Sequence, residues 1–519
     1  MPQCVSRVVF LGLDGGTMRA FGPLFDRGLM PNLAAFWRRS VTGGLNSTTP
    51  MVTPVAWTSF LTGCTPRRHG IHEFYYLDEA RRVIGANDAA RIRVPTLWHE
   101  LADANRKVVS LNLPMTYPPG PLPGLIVAGS DAPDSRSAFV HCADFGAMLR
   151  AEVPEYTVKN LWKTRPRSLE DLQAFSKRTQ ALFLAQAEAA VRADALVDWS
   201  ALLVHFHNLD GLQHRVWPEM NVDETADPDP QRRAEVEACL TALDVAVARL
   251  IDLAQQRDAA VIAVSDHGFG PCHALVNVNG LLQQAGLQRR LSYGTRFRYR
   301  INRLRDRLRR WRKRRDPNPP QRMSRAVAGE VGCDWKRTVV YAPYGQLSGC
   351  LYLHPSLRER GSRADRVKRE VIALMRDVRH PERGDLVFSD AFDVAERYGI
   401  DPVVEGLPDI LAPSSDGYQA QAKWSPFDQR LFCPDPDLPA THYMEGVVAI
   451  DAPNTRLGFP LSADLHDIAP TTLALLGLPV PSYMEGRVLD EAFVDPLNPE
   501  SSDHRPRKHA VSDAIPASA

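Results

Sequence analysis

The 519-residue chain places acidic residues and histidines directly after three short apolar segments. The first segment is followed by an aspartate, the second by an aspartate and a histidine four residues apart, and the third by an adjacent pair. The five side chains are Asp14, Asp210, His214, Asp266 and His267. Carboxylate and imidazole ligands without thiolate suit Zn²⁺, Mn²⁺ or a similar ion. If the three segments are parallel strands, their carboxyl ends meet in one crevice, where ligands bind.

Each of these residues also has an ordinary structural explanation. Asp14 before two glycines is typical of a turn, Asp210 could cap a helix, and His214 could be a surface residue. Taken singly, such explanations are the commoner ones. Taken together, with each residue at the end of a strand, the residues favour a metal site.

A second chemical feature is the hydroxyl-bearing stretch from Thr53 to Gly63. A hydroxyl at the start of a helix lies where free N–H groups and the helix dipole favour an anion. A metal ion bound to that hydroxyl lowers its pKa and creates a nucleophile. The alternative is a plain Ser/Thr N-cap, which spacing alone favours.

The elements that must position these groups alternate between strand and helix patterns. Short apolar runs predict strands at 8–13, 108–113, 201–204 and 260–264, and amphipathic segments predict helices at 95–104, 169–194 and 231–256. Strands separated by helices predict an α/β fold with a mostly parallel sheet between two helical layers. Runs as apolar as these suit strands that are buried on both faces.

The second half of the chain departs from this alternation before it returns to it. Strand 349–353 and helix 363–377 indicate a smaller lobe that caps the site, and strand 446–450 and helix 470–476 return to the core. The predicted organisation is a core at 1–288 with a helical insertion at about 140–200, an Arg-rich insertion at 289–330, a cap lobe at 331–440, a return to the core at 441–496 and a disordered tail at 497–519.

The segment 289–316 carries 14 basic residues and two aspartates, a net charge of +12 that leaves about −11 for the rest of a chain whose total is +1. Ile301, Leu304, Leu308 and Trp311 form a helical apolar stripe within it. Such a helix could lie on an anionic membrane or bind a polyanion such as nucleic acid. Packing of the stripe on the protein body is an equal alternative.

Several classes of protein are disfavoured by the composition. No apolar run is long enough for a transmembrane helix, and the N-terminus lacks the features of a secretory signal. We therefore expect a cytoplasmic protein, with peripheral membrane attachment as the alternative. The eight cysteines form no C-x-x-C pair, so reduced thiols are expected rather than a disulfide framework.

Five motifs follow one another in order between residue 8 and about residue 490. They are Leu-Asp-Gly at 13–15, Thr53 nine residues before the first Thr of Thr-Gly-x-x-Pro-x-x-His-Gly at 62–70, Asp-x-x-x-His at 210–214, Ser-Asp-His-Gly at 265–268, and Thr-His-x-x-Glu-Gly at 441–446. This set resembles the alkaline phosphatase superfamily, in its type I phosphodiesterase / nucleotide pyrophosphatase branch. The closing segment 467–477 is similar to the same branch.

The resemblance implies a three-layer alkaline-phosphatase-like core and a two-metal phosphohydrolase. One metal ion would be held by Asp210, His214 and His442, and the other by Asp14, Asp266 and His267 together with Thr53. The ions implied are a pair of zinc ions, with manganese as the alternative. Thr53 would attack phosphorus and form a phosphothreonine, which water would then release. The substrate implied is a small phosphate ester, either a phosphodiester or a nucleotide pyrophosphate.

Two departures from familiar patterns bear on the substrate and the nucleophile. Phe74 stands where the branch often has an Asn that helps to hold a phosphoryl oxygen. Cys64 begins a Cys-x-Pro-x-Arg pattern like that of sulfatases, but it follows the Thr-Gly pair instead of preceding it. Since Thr53 occupies the nucleophile position, we interpret the sulfatase match as a coincidence.

His205 and His207 alternate with apolar residues at the end of the third predicted strand. We expect them to be packed, hydrogen-bonded histidines, with the orientation of metal ligands as the alternative.

Three other functions remain open from the sequence. A phosphomonoesterase or phosphomutase would use the same metals with a different cap. A transferase would pass the phospho group to an acceptor other than water. A noncatalytic protein would use the Arg-rich helix to bind membranes or polyanions, although it would have no need of the intact set of ligands.

Overall fold

The computed structural model describes residues 4–78, 83–132, 139–222, 228–290, 333–345, 347–358, 361–401, 406–422, 430–497 and 501–502. Apart from residues 289–290, the predicted Arg-rich insertion lies outside the described residues, as does most of the predicted tail at 497–519.

The strands of the described residues are numbered in chain order. They are β1 Val8–Gly12, β2 Val41–Asn46, β3 Tyr75–Asp78, β4 Val83–Ala86, β5 Val108–Leu113, β6 Gly124–Ala128, β7 Ala201–His205, β8 Ala260–Val264, β9 Gly268–Pro271, β10 Ala274–Asn277, β11 Val340–Tyr341, β12 Ser348–Leu353, β13 Phe392–Asp393, β14 Ile410–Pro413, β15 Tyr418–Gln421, β16 Phe432–Cys433, β17 Ala440–Tyr443, β18 Glu445–Asp451, β19 Pro460–Asp464, β20 Val480–Pro481 and β21 Ser501–Ser502.

The helices are numbered in the same way. They are α1 Met18–Asp26, α2 Pro31–Arg38, α3 Thr53–Thr62, α4 Pro66–His69, α5 Leu97–Asp103, α6 Ala143–Glu152, α7 Leu169–Leu196, α8 Asn208–Met220, α9 Pro230–Gln256, α10 Val278–Gln284, α11 Pro355–Arg358, α12 Gly361–Asp377, α13 Val394–Tyr398 and α14 Ile468–Leu475.

An eight-stranded sheet in the order β19-β2-β18-β8-β1-β7-β5-β6 organises the larger part of the chain. β18 runs antiparallel to both of its neighbours, whereas the other adjacent pairs are parallel. The prediction of an α/β fold with a mostly parallel sheet is therefore confirmed.

The central strands are buried on both faces because helices cover each side of the sheet. Every residue of β1, β7 and β8 is buried. Successive side chains of a strand point to opposite faces. Val9 and Leu11 of β1 accordingly join a core cluster with α7 and α9. Val8 and Phe10 join a second cluster with α3, α5 and α14. This is the three-layer arrangement.

The register of the central strands aligns their carboxyl ends. Gly12, the last residue of β1, is paired with His205 of β7 on one side and with Val264 of β8 on the other. The residues that follow these three strands therefore emerge at the same edge of the sheet. The motif residues that follow these strands therefore meet at this edge.

The chain divides into two compact units. One contains Met1–Ile71, Asp88–Pro271 and Asp437–Ala519, including the central sheet, and the other contains His72–Asn87 and Cys272–Pro436. The second unit has its own core, built from the sheets β15-β10-β16 and β11-β12-β14-β13 together with α10 and α12. Among the described residues, none of the helices combines the length and apolar character that crossing a membrane requires.

Candidate active site

Six side chains from four parts of the first unit converge at the carboxyl edge of the sheet. The loops after β1 and β8 supply three of them, helix α8 supplies two, and strand β17 supplies the last. They are Asp14, Asp266, His267, Asp210, His214 and His442. β17 pairs with β9, directly after His267, and this pairing places His442 opposite Phe269.

The first group consists of Asp210, His214 and His442. Asp210 and His214 lie one turn apart on α8, so their side chains share a face of the helix. The Nε2 atom of His442 lies 3.1 Å from Asp210 Oδ1 and 3.1 Å from His214 Nε2. His214 Nε2 lies 3.3 Å from Asp210 Oδ1. The three donor atoms thus form a compact triangle.

The second group consists of Asp14, Asp266 and His267. His267 Nε2 lies 3.6 Å from Asp14 Oδ1 and 3.3 Å from Asp266 Oδ2. The donor atoms of His267, Asp210 and His442 also lie within 4.8 Å of one another, so His267 stands between the two groups. The backbone N–H of Gly15 donates to Asp266 Oδ1 over 3.1 Å. Gly15 has a φ of +68°, and a Cβ there would meet the Phe269 ring at 2.7 Å, so the turn needs glycine.

The spacing and burial of these donors fit divalent cations. Tetrahedral bonds of about 2.0–2.1 Å to zinc place the ligand atoms about 3.3 Å apart. The five distances given above lie between 3.1 and 3.6 Å. Three buried atoms of the second group also have no hydrogen-bond partner among the described residues, namely Asp14 Oδ1, Asp266 Oδ2 and His267 Nε2. Buried polar atoms without partners are costly unless an ion or water satisfies them.

The three histidines are held in the same way. His214 Nδ1 lies 2.9 Å from the carbonyl oxygen of Ala440, His442 Nδ1 3.0 Å from that of Met51, and His267 Nδ1 3.0 Å from that of Gly268. Since a carbonyl only accepts, the hydrogen is placed on Nδ1 and the lone pair of Nε2 faces the carboxylates. Metal-binding histidines characteristically donate their other N–H to such an acceptor.

The electrostatics of the site call for positive charge. Burial raises the pKa of Asp14 well above its ordinary value, and the carboxylates of Asp266 and Asp210 add to the effect. Burial raises the pKa of Asp266 to about 7, although His442 opposes the shift. Burial lowers the pKa of His214 to about 4, so this imidazole is neutral and free to bind a cation at neutral pH. A divalent ion would compensate the buried carboxylates.

Asp210 is attracted to the two histidines of the first group, His214 and His442. Burial alone would raise the pKa of Asp210, but His214 and His442 hold it well below its ordinary value. Burial alone would lower the pKa of His442, but the hydrogen bond that the protonated imidazole donates from Nε2 to Asp210 raises that pKa.

Thr53 is the first residue of α3 and is partly exposed. The carbonyl of Met51, two residues earlier, accepts from His442, so the helix begins beside the first group. Later hydroxyls in α3 are engaged, because Thr58 donates to the Pro54 carbonyl and Thr62 to the Thr58 carbonyl. Among the described residues, no hydrogen bond occupies the Thr53 hydroxyl, and no side chain caps the helix at Val52.

A further histidine, His205, lies against this site. Its Nε2 is 3.0 Å from Asp14 Oδ2, whereas His267 Nε2 is 3.6 Å from the other oxygen of the same carboxylate, Oδ1. The sequence offered one indication, its position at the end of a strand that leads to the site. The choice between a packed histidine and one that contacts Asp14 depends on the pairing of β1 with β7, which a single sequence does not reveal.

Metal affinity is expected to depend on pH with a definite sign. In the metal-free protein, Asp266 has a pKa of about 7, so below that pH a proton must leave before a cation binds. The apparent affinity should fall about tenfold per pH unit for each proton displaced as the pH drops below about 7. Competition with a chelator at several pH values measures this. Affinity that is constant between about pH 5 and about pH 7 would contradict it.

The same shift affects the stability of the metal-free protein. The folded pKa of Asp266 lies above its ordinary value of 3.8, so the stabilisation it provides is present at low pH and is lost as the pH rises through about 7. Added metal should therefore raise the melting temperature more at about pH 8 than at about pH 5.

Comparison with known proteins identifies relatives of both the sequence and the fold. The profile of the type I phosphodiesterase / nucleotide pyrophosphatase family matches residues 8–430 of the chain. No curated protein sequence matches the chain.

One solved protein shares the fold at low sequence identity, and a second superposes less well. Phosphonoacetate hydrolase from Sinorhizobium meliloti 1021, in complex with phosphonoformate, superposes with a TM-score of 0.55 and 16% identity over 92% of this chain and 97% of that chain. The same figures hold for its complex with phosphonoacetate. Murine ectonucleotide pyrophosphatase / phosphodiesterase 5 gives a TM-score of 0.49 and 12% identity over 91% of this chain and 95% of that chain.

Proposed function

Because the chain belongs to the type I phosphodiesterase / nucleotide pyrophosphatase family, we propose that it hydrolyses a phosphodiester or a nucleotide pyrophosphate with two divalent metal ions and Thr53 as the nucleophile. As a member of that family the protein is a phosphohydrolase. The observation that carries the finer proposal is the convergence of two groups of carboxylate and imidazole donors near the start of a helix. The first residue of this helix is a threonine whose hydroxyl makes no hydrogen bond within the described part of the chain.

We propose one metal ion for each of the two groups of donor atoms. Asp210, His214 and His442 would hold one ion, and Asp14, Asp266 and His267 would hold the other. We assign Thr53 to the second ion because the resemblance of the motifs to the family implies it; the helix that Thr53 opens begins beside His442. Zinc is the ion we propose, with manganese as the alternative, since the donors are oxygen and imidazole nitrogen. Bound there, such ions supply the positive charge that stabilises phosphoryl oxygens and ionised hydroxyls.

Thr53 carries the covalent chemistry in this proposal. Its Oγ forms a bond to phosphorus while the bond to the leaving-group oxygen breaks. The leaving group departs with the electron pair, and the proton lost from the Thr53 hydroxyl ends on the leaving-group oxygen. A water oxygen then bonds to the same phosphorus and the bond to Thr53 Oγ breaks. One proton of that water passes to Oγ and regenerates the hydroxyl. The product is a phosphate ester with one substituent fewer.

The fold contributes orientation and charge to both steps. The first turn of α3 presents N–H groups without intrahelical partners, and its dipole favours negative charge at that end. The backbone carbonyls that hold the three imidazoles fix the direction of each Nε2 before substrate arrives.

The substrate class is tested by comparing two chromogenic esters. Bis-p-nitrophenyl phosphate and p-nitrophenyl phosphate are assayed side by side with Zn²⁺ or Mn²⁺. The proposal predicts that kcat/KM is higher for the diester. A preference for the monoester would show that the substrate class is wrong although the core chemistry stands. Cleavage of neither ester with either metal would favour a transferase that needs a specific acceptor.

A further inference from the structure

His205 repeats the arrangement of the three proposed histidine ligands. Its Nδ1 lies 3.1 Å from the carbonyl oxygen of Asn112, and its Nε2 lies 3.0 Å from Asp14 Oδ2. A backbone carbonyl on Nδ1 and a carboxylate on Nε2 is the same pattern that His214, His442 and His267 show. Because the carbonyl takes the hydrogen of Nδ1, the lone pair of Nε2 is left facing the Asp14 carboxylate.

When Asp14 is ionised, as binding of a cation requires, its carboxylate and the Nε2 lone pair of His205 are two acceptors that face each other in a buried place, and a positive charge must lie beside both. Both His205 and Asp14 are almost completely buried, at 0% and 3% exposure. Among the described residues, His205 Nε2 has no hydrogen-bond partner, nor has Asp14 Oδ1, the other oxygen of the carboxylate. With Asp266 Oδ2 and His267 Nε2, four buried atoms of the proposed metal centre lack a partner within the described residues, and a cation would satisfy them.

The surroundings hold the His205 ring in one orientation. The Trp57 ring packs edge-on against it with centroids 4.7 Å apart. Gln186 Nε2 donates to the His205 carbonyl over 3.1 Å. Gly12 leaves room for the ring, since a Cβ there would lie 3.2 Å from His205 Cδ2. A ring that is fixed on several sides keeps its Nε2 directed at Asp14, as a ligand requires.

His207, two residues further along, shows what a buried histidine without this role looks like. It is also buried, but its Nε2 lies 2.8 Å from Asn208 Nδ2, an amide nitrogen that can only donate. The Nε2 lone pair of His207 is therefore already used, and among the described residues no carboxylate oxygen lies within ion-pair distance of this ring. His207 is a matched control in residue type, burial and position.

We infer that His205 is a further protein ligand, binding through Nε2 to the cation that Asp14 holds. The inference rests on the proposed metal centre and adds a fourth histidine to it. Asp14 would then lie between two imidazoles, with Oδ1 towards His267 and Oδ2 towards His205.

The number of coordinated histidines can be counted in the cobalt-substituted protein. Each imidazole bound to Co²⁺ through Nε2 gives a hyperfine-shifted, solvent-exchangeable proton resonance from its Nδ1–H. The inference predicts four such resonances in the wild-type protein, whereas the six proposed ligands alone predict three. If the wild-type protein binds two Co²⁺ ions and hydrolyses diesters but shows only three such resonances, the inference is overturned and the proposed function stays intact. Failure to bind metal and to hydrolyse diesters would overturn both.

The variant His205→Asn makes the assignment specific. An asparagine amide can still donate to the Asn112 carbonyl in place of Nδ1, but it lacks Nε2. One of the four resonances should disappear, and the affinity for one of the two ions should fall roughly tenfold or more by chelator competition. His207→Asn should keep all four resonances and wild-type affinity. Unchanged resonances and affinity in His205→Asn would overturn the inference.

Discussion

Replacement of Thr53 by alanine is expected to lower kcat/KM for diester hydrolysis by about three orders of magnitude or more, corresponding to at least about 4 kcal/mol of transition-state stabilisation. The reason is that the variant removes the only atom proposed to form the covalent bond to phosphorus. Thr53 is partly exposed and its hydroxyl makes no hydrogen bond among the described residues. The folded structure should therefore be nearly unaffected, and metal content should stay close to that of the wild type.

Two further variants separate chemistry from structure. Thr53→Ser keeps the hydroxyl and should retain a substantial part of the activity. Thr58→Ala makes the same deletion in the same helix, at a hydroxyl that donates to the Pro54 carbonyl, and should cost about 1 kcal/mol of stability with little loss of turnover. If Thr53→Ala keeps most of the activity while Thr58→Ala behaves as expected, Thr53 is not the nucleophile.

Replacement of Asp210 by asparagine is expected to remove one metal ion and to lower kcat/KM by roughly two to three orders of magnitude, or about 3–4 kcal/mol. Asp210 Oδ1 lies 3.1 Å from His442 Nε2 and 3.3 Å from His214 Nε2, so its charge holds the first group together. Asparagine keeps the shape and removes the charge. Metal analysis should give about two ions per chain for the wild type and about one for the variant.

The control for this variant is Asp229→Asn. Asp229 caps the start of α9, where asparagine caps equally well, so neither metal content nor activity should change. An Asp210→Asn protein that binds two ions with wild-type affinity would show that Asp210 is not a ligand, whatever its activity.

The fold was predictable where hydrophobic pattern alone decides it. The runs at 108–113 and 260–264 coincide with β5 and β8. The helix predicted at 169–194 is observed as α7, which begins at the same residue and ends two residues later, at Leu196. These segments are buried throughout or strongly periodic, so local sequence and tertiary packing agree.

The sequence did not predict the strands whose position depends on which neighbouring strand they pair with. β2, a glycine-containing strand of mixed exposure, and β19, which alternates between exposed and buried residues, lack the continuous apolar run of the central strands. The antiparallel direction of β18 is not written in its composition either, because an apolar strand reads the same in both orientations.

In the candidate site, too, the residues of the motifs were predictable from the sequence, whereas their hydrogen-bond partners were not. Motif order identified the six side chains that the structure brings together, since motifs after parallel strands must meet at one edge. The carbonyl partners of the histidines come from distant parts of the chain, such as Met51 for His442, and only the folded chain reveals them. The contact between His205 and Asp14 likewise follows from strand register. Membrane or polyanion binding by residues 289–316 stays a prediction.

The stereochemical course at phosphorus tests the phosphothreonine most directly. A phosphorothioate diester of one configuration is hydrolysed in heavy-oxygen water, and the configuration of the product is determined. Attack by Thr53 followed by attack of water comprises two inversions, so the account predicts overall retention. Inversion would mean that water attacks the substrate directly, and it would contradict the covalent role of Thr53.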